Sequence, residues 1–364
     1  MSDEKAGNPR PGPGEWTGPD ERLSPVARAA FEVVATGPLA LLHDSGRPGH
    51  AHLGVTASGA ADRASAAAAN RLVGNRPGAA VVEAVFGGLE LRAGRALLVA
   101  LTGASGTAVV TEQAGERGSA EAGAEAEAGR AGDGSPAETT LDPKPGGARI
   151  RRVVEHPAGT SFTVGAGDSL LLTPPASGLR YYLAVRGGFD AEPVLGSRST
   201  DVLSGLGPAP LAAGDLLQLA GEHEGGVGAR PAATSIPPPL PAAGTARLAV
   251  LPGPRRDWFG ERGWRQLLDT GWVVGTDSNR VGLRLTVADD AGAGVQRAPG
   301  HEGELASEGM VAGAVQIPPS GRPVVFLRDH PVTGGYPVIA VLTEAAVDTA
   351  AQLRPGDAVR FREA

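Results

Sequence analysis

The chain has 364 residues, a net charge of −7, no cysteine and two lysines. That length accommodates two domains, the missing cysteine excludes disulfides, thiol nucleophiles and thiolate metal sites, and the negative balance argues against a nucleic-acid binder. Both lysines, Lys5 and Lys144, fall in polar, Pro/Gly-rich stretches, so no structured segment offers a Walker-type phosphate loop, a biotinyl-lysine or a pyridoxal Schiff base. ATP or biotin, if used, must come on another chain.

Residues 1–30 are polar and rich in proline and glycine, the composition of a disordered leader. They hold no signal-peptide core, and no stretch of the chain reaches the apolar length of a membrane span, so a cytoplasmic protein without membrane contact is expected. The strand LALLHD then enters the most polar block of the chain, His43 to Asn75. Gly46, Pro48 and Gly49 permit a tight reversal. Ser58 is the expected N-cap of a helix over residues 60–73, whose alanines favour it. Free amides at its start would favour an anion or a polarised carbonyl. Asp62, Ala66, Ala69 and Val73 share one stripe, and Arg63, Asn70 and Gly74 another. Two readings stay open for Asp62 and Arg63: a cap and a surface ion pair, or contacts to a ligand.

Strand-length runs follow: VVEAVFGGLELRA, ALLVALTG, then SLLLT, YYLAV and LLQLA, each rich in β-branched or leucine residues and bounded by Gly, Pro or Asp. An Ala/Glu/Gly tract at about 111–148 interrupts them and cannot bury a core, so it is read as a disordered insertion between two strands. A Pro-rich stretch, 223–244, is read as a linker. The expected organisation is an N-terminal domain over 31–222 and a C-terminal one over 245–364. In the latter, RLAVLPG, VGLRLTV, GAVQIPP, PVVFLRD and DAVRFRE read as strands, with a helix at 263–270 carrying Trp264, Leu267 and Leu268 on one stripe. Many short strands with two helices indicate closed or partly closed barrels.

Two further groups of polar residues stand out. In PVVFLRDHPVTGGYPVIA, Arg328, Asp329 and His330 follow a buried strand, and Thr333, Gly334, Gly335 and Tyr336 form a loop whose amides could cradle an oxyanion or carboxylate. A hairpin turn is the plainer reading of the two glycines. Gln316 and Glu308 precede them, and a carboxamide can read an amide or lactam. In RGGFD and GSRSTD, Arg186 and Arg198 offer guanidinium forks for a carboxylate or phosphate, or ion pairs to Asp190 and Asp201. The seven histidines show neither triad nor metal-ligand spacing, and of them His330, beside Arg328 and Asp329, has the placement of a cleft residue.

The block from Asp44 to Asn75, with Gly46, Arg47, Gly49, Ser58, Gly59, Asp62, Arg63, Asn70 and Asn75, resembles the opening signature of the biotin-dependent carboxyltransferase family, also called allophanate hydrolase subunit 2. Glu83 in VVEAVFGGLEL, the run from Tyr181 to Gly207, LAAGDLL, VLPGPRRDWF, SNRVGLRL, the run from Ser307 to Ala340 and LRPGDAVRF continue the resemblance in order, over roughly residues 31–361. It implies a mainly β fold of two cyclophilin-like β-barrel domains with a few short helices.

It also implies a component like the C-type subunit of an ATP-dependent 5-oxoprolinase, an amide (lactam) hydrolase that opens 5-oxo-L-proline to L-glutamate. The implied partners are a small B-type member of the family and an A-type, ATP-dependent protein. ATP is used by the complex, and no cofactor is bound covalently. A carboxyltransferase component acting on carboxybiotin and urea or another amide is the alternative, and only there does biotin enter; a regulatory antagonist of a kinase-inhibitor protein is a third reading. Candidate catalytic residues are Asp62, Asp329 and Tyr336, with no metal. Candidate substrate contacts are Arg47, Ser58, Arg63, Asn70, Arg186, Arg198, Gln316, Thr333, Gly334 and Gly335.

Overall fold

A computed structural model describes residues 29–113, 150–222, 244–288 and 294–364. The expected leader, insertion and linker lie outside the described residues except at positions 29–30, 111–113 and 244, and 111–113 continue a strand.

Thirteen strands build the first unit: β1 (Phe31–Thr36), β2 (Leu39–His43), β3 (Val81–Val85), β4 (Leu89–Ala93), β5 (Leu97–Ser105), β6 (Thr107–Gln113), β7 (Ile150–Pro157), β8 (Thr160–Val164), β9 (Ser169–Leu172), β10 (Ser177–Val185), β11 (Gly187–Phe189), β12 (Leu216–Leu217) and β13 (Leu219–Glu222). They pair in the order β12-β1-β4-β9-β6-β7 in one sheet and β2-β3-β10-β5-β8 in another, with β11 and β13 as a small ribbon. Strands β6 and β7, on either side of the long insertion, are antiparallel neighbours.

Two-residue periodicity sorts the side chains of the five-stranded sheet. Val82, Ala84, Leu101, Tyr181 and Leu183 join Phe31, Leu89, Leu91 and Leu172 of the six-stranded sheet in one core. The alternate residues Val81, Ala100, Tyr182 and Ala184 face the other way, onto helix α1 (Arg63–Val73). Ala66, Ala69, Leu72 and Val73 form the stripe that covers them, so alanine brings the helix close to the sheet. Gly74, at φ 77°, ends α1 by returning its amide to Arg71 and Asn70 carbonyls.

The second unit contains β14 (Ala246–Pro252), α2 (Gly260–Asp269), β15 (Trp272–Val274), β16 (Gly282–Val287), β17 (Glu308–Gly309), β18 (Ala314–Gln316), β19 (Val324–Phe326), β20 (Thr333–Gly334), β21 (Val338–Leu342), α3 (Glu344–Ala351) and β22 (Ala358–Glu363). Seven strands close a barrel in the order β14-β21-β18-β19-β16-β15-β22, with β14 and β22 pairing in parallel. The mainly β architecture expected from the sequence is therefore present, with closure in the second unit. Helix α2 seats Trp264 and Leu267 in the barrel core. Helix α3, which the periodicity reading does not include, is eight residues long and capped by Thr343, whose Oγ1 accepts the Ala346 amide at 3.3 Å. Among the described residues no helix is long and apolar enough to cross a membrane.

Candidate functional site at the junction of the two units

Strand β3 places Glu83 on the same face as Val81, toward the second unit, and the side chain is fully buried. Its Oε2 accepts the Ala61 amide at 3.0 Å. Its Oε1 takes the Nη1 of Arg280, which comes from the turn before β16, and lies 3.3 Å from Nε of Arg180 on β10. Arg280 is shared further. Its Nε donates to Asp329 Oδ2 at 2.9 Å, and its Nη2 to the Gly59 carbonyl at 2.6 Å. Burial, the largest single influence, would raise both carboxyls, but Arg280 together with the other cations and donors around them outweighs it, holding Glu83 down to about 2 and Asp329 below the usual range. The network is thus ionised and internally matched, as buried charge requires.

Asp329 also reaches the first unit directly. Ser58 Oγ lies 2.7 Å from Asp329 Oδ1, and the Val202 amide donates to Oδ2 at 3.3 Å. Ser58 adopts φ 48° and sits four residues ahead of the N-cap position, so the expected cap assignment is corrected. Asp62 is the N-cap, accepting the Ser65 amide at 2.9 Å and the Ser65 hydroxyl at 2.6 Å. A short, extended-backbone acid immediately before the first helical residue satisfies the orphan amide that Ser58 is too far away to reach. The anion favoured at this helix start is supplied by the protein: besides Asp62, Asp348 of α3 accepts the Arg63 and Ala64 amides at 3.0 and 3.3 Å.

Gln352, just after α3, completes the seam. Its Nε2 donates to Asp62 Oδ2 at 2.9 Å, and its Oε1 accepts the Arg180 amide at 2.9 Å. Tyr182 accepts the Asp62 amide at 2.8 Å. Burial pushes Asp62 above the ordinary carboxylate range, against hydrogen bonds from Ser65 and Gln352 that favour its ionised form. Three of the candidate residues, Ser58, Asp62 and Asp329, therefore meet at one buried seam. Arg63 stands at its edge, partly exposed, 3.6 Å from Glu344.

The other candidates sort into three places. Arg47 is buried, its Nε donating to the Val194 carbonyl at 3.2 Å and its Nη2 to that of Ser199. Beside it Asp44 gathers the Ser197 and Ser199 hydroxyls at 2.6 and 2.7 Å and the Arg198 amide at 2.7 Å, while the Arg198 side chain lies 3.4 Å from Asp190. Both arginines thus hold loops together. At the far end of α1, Asn70 donates to the Ala79 carbonyl and accepts from Asn75, whose amide bonds bracket Arg186 at Val185 and Gly187. In the second unit Gln316 donates to the Tyr336 carbonyl at 2.8 Å, and Thr333 and Gly334 pair with Gly309 and Glu308. That hairpin edge leaves Thr333, Gly335 and Tyr336 exposed.

Sequence reasoning passes over Arg280, Arg180, Gln352 and Asp348. One signal is present: a glutamate inside VVEAV, a strand buried on both faces, demands a cation. Among the described residues no group of three or more His, Cys, Asp or Glu is placed to hold a metal ion.

Comparison with known proteins agrees with this architecture. The family model for the carboxyltransferase domain, subdomain A and B, matches residues 53–137 and 131–363. The chain is 29% identical over 334 residues to the C-type subunit of 5-oxoprolinase from Escherichia coli, covering 91% of this chain and 90% of that protein. It is 28% identical over 350 residues to urea amidolyase of Lachancea kluyveri, covering 91% of this chain and 17% of that one. Among solved structures, TTHA0988 superposes with a TM-score of 0.69 at 32% identity over 92% of this chain, which spans 56% of that longer chain. The chain belongs to the carboxyltransferase domain family, with its subdomains A and B.

Proposed function

We propose that this chain is the C-type component of an ATP-dependent 5-oxoprolinase, which opens 5-oxo-L-proline to L-glutamate together with an A-type, ATP-dependent protein and a small B-type member of the family. The observation that carries the reading is coverage. The match to the E. coli 5-oxoprolinase component runs through nine-tenths of both chains, whereas the match to urea amidolyase takes in about a sixth of that protein.

The chemistry asks for division of labour. A five-membered lactam resists hydrolysis through amide resonance, and phosphorylation of the amide oxygen by ATP removes that resistance. The only two lysines of this chain fall in polar, Pro/Gly-rich segments with no phosphate-loop pattern, so a partner supplies the nucleotide site. The contribution of this chain is at the seam, where Asp62 and Asp329, the latter kept ionised with Arg280 beside it, are the acid/base candidates and Arg63 the carboxylate anchor. The exposed loop from Thr333 to Tyr336 is the anion-holding candidate of the second unit.

The 28% identity to urea amidolyase supports a second reading, in which the same seam serves carboxyl transfer from carboxybiotin to urea or another amide. ATP-dependent glutamate release from 5-oxo-L-proline, measured with all three components and with each omitted in turn, separates the two. Glutamate should form only in the complete mixture. No glutamate there, together with urea-dependent turnover when a biotinylated carrier is supplied, reverses the ranking.

A further inference from the structure

We propose that His330 is the residue that takes the proton at this seam, through an Nε2 lone pair that the fold leaves bare. The proposal rests on the reading above in one respect, that the reaction takes place at the seam; the state of the ring does not depend on it. When water opens the activated amide, one of its O–H bonds breaks as its oxygen bonds to the amide carbon, and that proton passes to Nε2. From there it goes to the amide nitrogen, which leaves with the C–N bonding pair, and the ring is neutral again.

The two carboxyls at the seam are already occupied by fixed donors. Asp329 Oδ1 accepts from Ser58 Oγ at 2.7 Å and from Arg280 Nη2 at 3.2 Å, and its Oδ2 accepts from Arg280 Nε at 2.9 Å and the Val202 amide at 3.3 Å. Asp62 gives Oδ1 to the Ser65 amide and Oδ2 to the Ser65 hydroxyl and the Gln352 carboxamide. Both residues are buried. A proton arriving from a substrate would have to displace one of these donors to reach either carboxyl. That leaves Asp329 and Asp62 to hold the seam together, and another group to move the proton.

His330, the next residue after Asp329, is arranged in the opposite way. Its Nδ1 lies 2.8 Å from the Pro331 carbonyl. A carbonyl oxygen only accepts, so Nδ1 carries the hydrogen and Nε2 of the neutral ring is a lone pair. Nε2 makes no hydrogen bond among the described residues and is not enclosed, unlike both nitrogens of His43. The residue as a whole is only 7% exposed, and its ring stacks on Phe326 with centroids 6.1 Å apart, so the lone pair is held in place. Burial, the largest influence, lowers the pKa of the ring from 6.5, and Arg328 acts with it; the Pro331 carbonyl, Asp329 and, from the first unit, Asp201 act against it. The ring is therefore neutral at pH 7, the form that accepts a proton.

The test has two arms. In the first, the full chain labelled with nitrogen-15 at histidine is titrated by NMR, and His330 is the signal missing from His330→Asn. An Nδ1–H tautomer with a bare Nε2, titrating below 6.5, is expected. A hydrogen on Nε2 of the neutral ring, or a ring charged at pH 7, overturns the proposal. In the second arm, glutamate release by the complete three-component mixture is followed against pH. Asparagine can keep a donor to the Pro331 carbonyl and offers no base, so His330→Asn should melt like wild type. It should lower kcat about 100-fold with KM changed less than about threefold, and remove the acid limb of the pH profile. Free imidazole should restore turnover to His330→Ala, which a residue with only a packing role would not allow. A kcat close to that of wild type in His330→Asn overturns the proposal. If the wild-type mixture releases no glutamate, the reaction proposed above fails by itself. Urea-dependent turnover with a biotinylated carrier then takes its place in the second arm, where the same loss of kcat is expected and an unchanged kcat overturns the proposal.

Discussion

Glu83 of the first unit and Arg280 of the second form a fully buried ion pair, 197 residues apart in sequence, and the pair is the axis about which the two units meet. Neither residue has solvent to fall back on. Removing one partner leaves the other charged and buried, a change worth about 3–5 kcal/mol. Glu83→Ala and Arg280→Ala should each lower the free energy of unfolding by about that much. In a double-mutant cycle their effects should be non-additive by well over 1 kcal/mol. Additive losses in chemical denaturation would show that the pair is not coupled.

Acid should unfold the protein in two stages, the first set by His43 and the second by Glu83. His43 is held at about 4 in the folded chain against 6.5 when unfolded, so between those values the unfolded state binds more protons and stability falls as pH falls. The full contribution of that shift is on the order of 3 kcal/mol. The depressed Glu83 carboxyl contributes stability that is present above 4.5 and lost as pH falls toward 2. Burial also lowers His156 and His330, so the comparison that isolates His43 is wild type against His43→Gln. The variant should show a shallower loss of stability between pH 6.5 and 4 and an unchanged loss below it. Identical slopes in that upper window would place the folded His43 near its ordinary value.

Much of the architecture is legible locally. Alternation in VVEAV separates Val82 and Ala84, which face the core between the sheets, from Val81 and Glu83, which face the other way, toward α1 and the second unit, and the alanine run of α1 announces a helix packed close to a sheet. Helix α3 is harder to read because its eight residues follow directly on β21 and carry little amphipathic pattern. The seam itself is hidden for a different reason. Whether Ser58 or Asp62 caps α1 is undecided by propensity, since both side chains cap well; what settles it is Asp329, 271 residues away, which engages the Ser58 hydroxyl. Arg280 and Gln352 sit in a turn and after a short helix, and nothing in their neighbours marks them as partners of Glu83 and Asp62.

The cap of α1 is divided between the two units, and the shares should be unequal. Asp348 is 17% exposed; it accepts two amides that water can partly serve when it is gone, and it shares Arg328 with Glu344, which remains 3.2 Å away. Asp348→Ala should therefore cost about 1 kcal/mol. Asp62 is buried and also satisfies the Ser65 hydroxyl and Gln352, so Asp62→Ala leaves unpaired donors as well as a bare helix end and should cost about 2–3 kcal/mol. Thermal denaturation of the two variants gives the order directly. A larger loss for Asp348→Ala would mean that the second unit, rather than the local cap, holds the helix start in place.

Gln316 acts on the exposed loop rather than on the fold. Its carboxamide pins the Tyr336 carbonyl, and it fits there because Gly334 has no side chain: a Cβ at that position would come within 2.6 Å of Gln316 Nε2. In Gln316→Leu the barrel keeps a side chain of similar size, and the freed carbonyl lies on a residue that is 45% exposed and can be hydrated. The free energy of unfolding should change by no more than about 1 kcal/mol. Turnover of the assembled complex should nevertheless drop about tenfold or more, because a loop that positions reacting groups loses rate steeply with small displacements. Loss of stability and turnover in step would make Gln316 a packing residue. Full turnover in a stable variant would remove the loop from Thr333 to Tyr336 from the site.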